Sequence, residues 1–184
     1  MVVSIFRGEW VRLVAADAGT DGRLMAKWSQ DSEFRRLFDT MAAQPMGAKA
    51  WMEAFAGDME SDPSAAIFGV CTVAEDRRIG FVGLNGMGWT HGNGWLTVAI
   101  GEREFWGRGF GSEAVELILH YGFAELNLHR VSLTVFEYNE RAIHSYEKRG
   151  FVVEGRAREH LNRDRRRWDM LYMGLLKDEW DARR

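Results

Sequence analysis

The sequence has few of the devices by which small proteins are stapled, anchored or steered. Its single cysteine, Cys71, excludes an internal disulfide and a cysteine-rich metal centre, and suits a reducing compartment. The only prolines, Pro45 and Pro63, punctuate helical stretches. No apolar run approaches the roughly 20 residues that cross a bilayer, and residues 1–7 lack the long apolar region of a secretory leader. No membrane partner is expected, and the expected location is cytoplasmic. Neither charge dominates: the formal net charge of -3 gives no broad attraction to nucleic acid, and the one basic cluster, Arg163 with Arg165, Arg166 and Arg167, is short. With 46% hydrophobic and 28% charged residues, the composition excludes disordered and collagen-like classes. Residues 1–184 fit one domain able to bury its own core. Aromatic side chains are plentiful, and Trp89, Trp95 and Trp106 stand beside glycines, where they could line a cleft as well as fill a core. Cys71 lies in the apolar run Ile67 to Val73 and reads as a buried strand residue rather than a nucleophile.

Strands are expected at residues 9–15, 65–74, 78–85, 95–101, 130–136, 151–160 and 168–175. The second to fourth read as an antiparallel meander. Helices are expected at 18–30, capped by Asp17, and at 46–58, 112–126 and 139–149, from apolar residues at three- and four-residue spacing. No repeat or linker divides the chain, and the mixed order predicts an α/β architecture, one sheet layered with helices.

The chemistry is concentrated in Phe105-Trp106-Gly107-Arg108-Gly109-Phe110-Gly111-Ser112, between a strand and an amphipathic helix. Closely spaced glycines there expose backbone N–H groups at the positive end of a helix dipole, a natural site for phosphate, and Arg108 could add a charged contact. The segment lacks the lysine of a P-loop, and its third glycine falls one position early for a dinucleotide fingerprint. A turn whose glycines merely permit tight packing remains the alternative. A second segment, Asn139 to Phe151, carries an N-cap at Asn139, a helix-ending Gly150, and Ala142, Ile143 and Tyr146 on one face. Asn139 and Tyr146, two turns apart, can meet one ligand passing the helix.

Together these segments resemble the GNAT superfamily of N-acetyltransferases. Arg108-Gly109-Phe110-Gly111 is similar to the end of its pyrophosphate loop, and Asn139-Glu140-Arg141-Ala142 through Tyr146 to Phe151 to its second cofactor motif. Ile100-Gly101-Glu102, Glu154-Gly155-Arg156 and Met173-Gly174-Leu175-Leu176 resemble the branch of ribosomal-protein alanine and spermidine acetyltransferases. The resemblance implies a mixed, largely antiparallel sheet of about seven strands with helices on both faces. It implies acetyl-CoA as cosubstrate, no metal, and acetyl transfer to a primary amine: a protein N-terminus, a polyamine or another small-molecule or peptide amine. A homodimer is left open. Trp106 stands where the family's loop usually begins with Gln or Arg, so one phosphate contact is lost or falls to Arg108.

The implied cofactor set is Val98, Ala99 and Ile100 on a strand, the turn Trp106, Gly107, Arg108, Gly109, Phe110, Gly111 and Ser112, and Asn139 with Ala142. Main-chain groups near Val98 would polarise the thioester carbonyl. Tyr146 is the candidate general acid for the departing thiolate, a packed aromatic being the bland alternative. Asn139 is explained as well by capping alone. Glu102 is the leading candidate base, against a merely solvated strand-end carboxylate, with His91 and His144 behind it. A nucleotide-dependent phosphotransferase and a non-catalytic acyl-CoA sensor are the rival functions.

Overall fold

The computed structural model describes residues 4–60 and 62–183, apart from the side chains of residues 57–60. Seven strands form one sheet: β1 (Val11–Ala15), β2 (Ala66–Thr72), β3 (Arg78–Gly88), β4 (Asn93–Ile100), β5 (Arg130–Phe136), β6 (Val152–Arg163) and β7 (Arg166–Leu176). Their spatial order is β1-β2-β3-β4-β5-β7-β6. All neighbours pair antiparallel except β4 with β5. Cys71 is buried in β2, as its apolar run implies.

Helices α1 (Ala18–Trp28), α2 (Ser32–Phe38) and α3 (Ala48–Glu60) precede β2 in sequence. Met25, Trp28, Phe34, Trp51 and Phe55 pack with Phe81 and Ala99 of the sheet. Asp17 caps α1 by accepting the Thr20 N–H at 2.7 Å. The other face carries α4 (Phe110–His120), a π-helical turn at Tyr121–Glu125, and α5 (Glu140–Lys148). There Ala114, Val115, Ile118, Leu119 and Phe123 join Val82, Leu84, Leu96, Val131 and Leu133 in the larger core. A short α6 (Lys177–Asp181) closes the described chain.

Three features differ from the sequence expectation. The α2 helix was not anticipated; its cap is Asp31, whose carboxylate accepts the N–H groups of Glu33 and Phe34. The glycine-rich turn is shorter than expected because α4 begins at Phe110. Strand β6 runs on to Arg163 although most of its residues are exposed, since its main chain pairs with β7 regardless of burial.

The topology also opens the sheet. β5 pairs with β4 only from Arg130 to Ser132, against Asn93 to Trp95, yet stays paired with β7 through Phe136. Beyond Trp95 the two parallel strands therefore part company, leaving the inner edge of β4 without a ladder partner.

Candidate functional site

That parting makes a cleft of about 510 Å3, walled by Leu96 to Ile100 of β4 and by Thr134, Val135 and Phe136 of β5. Gly101 N–H donates to Ile79 O at 2.9 Å, so by antiparallel alternation the main-chain groups of Ile100 and Val98 turn from β3 toward the cleft. The indole N–H of Trp106 accordingly reaches Ile100 O at 2.6 Å.

At one end of the cleft the turn enters α4. Gly107 and Gly109 adopt φ of +70° and +93°, a region closed to most side chains. A Cβ on Gly109 would lie 2.6 Å from the Trp10 ring, whereas one on Gly107 would meet open space. Gly109 is the N-cap and no side chain caps the helix, so its first N–H groups keep no acceptor within it. Glu113 fixes the turn from behind by accepting the N–H groups of Glu9, Trp10 and Val11 at 2.7 to 2.8 Å. Gly107, Gly109, Gly111 and Ser112 line the cleft. An uncapped N-terminus presenting unpaired amides beside a splayed strand edge fits a diphosphate with an extended arm.

The opposite wall is α5. Asn139 caps it, accepting the Ala142 N–H at 3.3 Å. Ser145 Oγ lies 2.6 Å from Ser112 Oγ, which ties α5 to the start of α4. Tyr146 packs edge-on against Phe151 with ring centroids 5.8 Å apart, and lines the cleft. Desolvation alone pushes its pKa up to about 12, with no hydrogen bond or charge offsetting it. The phenol is thus protonated throughout the physiological range.

The structure brings Val98, Ala99, Ile100, Trp106, Gly107, Gly109, Gly111, Ser112, Asn139, Ala142 and Tyr146 around this one cleft. Arg108 and Phe110 lie off it. The Arg108 guanidinium donates to Glu104 O at 3.1 Å and sits over the rings of Phe105 and Phe110. In that placement the exposed Arg108 side chain is turned away from the cleft. The basic groups on the cleft are instead Arg141, 4.5 Å from the Trp106 ring centroid, and Lys148. Arg141, Ser145 and Lys148 form one helical stripe at four- and three-residue spacing, a pattern that could have singled them out. Of the glycine-flanked tryptophans, Trp106 lines the cleft, while Trp89 and Trp95 are exposed.

Glu102 is directed elsewhere. It is 7% exposed and does not line the cleft. Lys27 donates to its carboxylate at 2.5 Å, the Trp28 indole at 3.0 Å and Arg77 at 2.8 Å. Gly101 permits this approach, since a Cβ there would lie 1.9 Å from the Trp28 ring. Burial raises the carboxyl pKa, but the Lys27 and Trp28 hydrogen bonds and the charges of Lys27 and Arg77 outweigh it, leaving the pKa below the ordinary value. A carboxylate so engaged is a poor proton acceptor. His144 lines the cleft and His91 does not. Among the described residues no group of three or more His, Cys, Asp or Glu side chains could hold a metal ion.

Comparison with known proteins assigns the fold to a family. Residues 11–152 match the acetyltransferase (GNAT) domain model, and the chain belongs to that family. It is an acyl-CoA-dependent N-acetyltransferase with acetyl-CoA as cosubstrate. An uncharacterized N-acetyltransferase, p20, of Bacillus licheniformis is 27% identical over 160 residues, covering 87% of this chain and 89% of the relative. A putative ribosomal N-acetyltransferase of Bacillus subtilis, YdaF, is 36% identical over 80 residues, 44% of each chain. The Vibrio cholerae spermidine N-acetyltransferase, solved in complex with CoA and spermine, superposes with a TM-score of 0.79 at 26% identity, over 92% of this chain and 97% of that one.

Proposed function

We propose that the chain acetylates a primary amine by direct attack on acetyl-CoA within a ternary complex. The observation that carries the reading is the splayed β4–β5 edge ending at an uncapped helix N-terminus, with the Tyr146 ring on the facing wall. Residues 1–184 act as one domain in this reading, since one sheet takes strands from both ends of the chain.

The amides of Gly109 to Ser112 hold the diphosphate, with Arg141 and Lys148 supplying charge. Val98 main-chain groups align the extended arm and polarise the thioester carbonyl. Attack by the neutral amine forms the C–N bond and places negative charge on that oxygen. The nitrogen then loses a proton to water or to His144, the C–S bond breaks, and the Tyr146 hydroxyl gives its proton to the departing sulfur. A phenol with pKa about 12 donates uphill to a thiolate whose conjugate acid has a pKa near ~8.5, so its proton must be replaced from the amine's as the intermediate collapses. Direct transfer fits because the only thiol, Cys71, is buried in β2 and does not line the cleft. The same cysteine suits a reducing, cytoplasmic setting. Among the described residues no helix is long and apolar enough to cross a membrane.

Initial-velocity kinetics test this reading. Varying acetyl-CoA and amine together gives intersecting double-reciprocal lines if both bind before transfer. Parallel lines would indicate an acyl-enzyme and refute direct attack.

A further inference from the structure

A second cavity, of about 240 Å3, opens beside the cleft on the α1–α3 face of the sheet. Phe38 and Thr97 line both. Its walls are rings: Phe38 meets Trp51 edge-on at 6.5 Å, and Phe81 stands nearly perpendicular to Phe38 at 5.8 Å and to Phe55 at 5.3 Å. Gly83, opposite Thr97 in the ladder, adds no side chain to the floor. One hydrogen-bonded polar pair lines it, the Asn85 amide donating to the Thr97 hydroxyl at 2.8 Å, and the indole N–H of Trp51 is buried without a hydrogen-bond partner among the described residues. Among the described residues no Asp or Glu lines the cavity.

We propose that this cavity selects the acceptor, an amine bearing a compact apolar group such as a phenyl ring, whose nitrogen reaches the thioester past Thr97. The inference rests on the acetyl-transfer reading and names its substrate class. An apolar cavity of ~150 Å3 suffices for benzene, so the volume here takes a ring with a short arm. Thr97 precedes Val98, whose main chain faces the cleft, and this adjacency brings the nitrogen to the reacting carbonyl. The remote ammonium groups of a polyamine would lose hydration against ring walls, and attraction to the rings offsets only part of that cost.

The test measures acetyl-CoA-dependent thiol release with 2-phenylethylamine, n-propylamine and spermidine. Ring burial predicts kcat/KM for phenylethylamine about 30-fold or more above that for either of the others. Ala54, exposed on α3 at the cavity wall, is then replaced by Trp, with Ala54→Leu as a milder second variant. Filling the cavity lowers the phenylethylamine-to-propylamine ratio by about ten-fold or more. Spermidine equalling phenylethylamine, or a ratio that both variants leave unchanged, would overturn the inference while leaving acetyl transfer standing. No thiol release with any amine, although calorimetry shows coenzyme A bound, would overturn both.

Discussion

Replacing Tyr146 by Phe removes one hydroxyl from the cleft and nothing else that packs. The ring keeps its edge-on contact with Phe151, and because only desolvation perturbs the phenol, no protein group is orphaned by the loss. Stability should therefore change by less than about 0.5 kcal/mol. If the hydroxyl protonates the departing sulfur, its loss raises the barrier by about 2.7 kcal/mol or more, a fall in kcat of about 100-fold. The KM for acetyl-CoA should stay within about two-fold, since the cradle and strand edge are untouched. Steady-state thiol release together with a thermal melt reads all three quantities. A kcat within three-fold of wild type would refute the acid role, and a large rise in acetyl-CoA KM at constant kcat would show that Tyr146 merely binds.

The pKa of Tyr146 near 12 predicts that kcat/KM rises with pH as the acceptor amine deprotonates, with no alkaline fall from this group below about pH 10; a fall centred at pH 8 to 9 contradicts that. Glu102→Gln should cost about 2 kcal/mol in a chemical melt while lowering kcat less than about three-fold, because the carboxylate anchors Lys27, Trp28 and Arg77 away from the cleft. Since its folded pKa is depressed, that contribution is present above the unfolded value and lost as pH falls through the folded one, so the wild-type advantage over Glu102→Gln should shrink in acid. Gly109→Ala should raise the Kd for coenzyme A about ten-fold or more, because a φ of +93° strains alanine by roughly 1–2 kcal/mol and its Cβ displaces the turn against Trp10.

What the sequence disclosed and what it hid divide along physical lines. The glycine turn, the Asn139 cap and the succession of strands along the chain were legible because local backbone chemistry and periodicity specify them. The α2 helix was hidden by its length of 7 residues, with Arg35 and Arg36 interrupting its apolar pattern. The placement of Glu102 was hidden because its partners Lys27 and Trp28 lie some 75 residues earlier, and a strand-end position does not reveal which face a side chain joins. The same holds for Arg108, which turns back onto Glu104, Phe105 and Phe110, while Arg141 crosses from α5 to stand over Trp106. The shape and lining of the second cavity were hidden, because its rings come from α2, α3 and β3 and converge only in the folded chain.

A crystal structure with coenzyme A bound is the most direct examination of the cofactor assignment. Diphosphate oxygens should lie within about 3.2 Å of the amide nitrogens at the start of α4, among Gly109 to Ser112, with the thiol arm running along β4 past Val98. Coenzyme A bound at another surface, or with its diphosphate in solvent, would contradict the account.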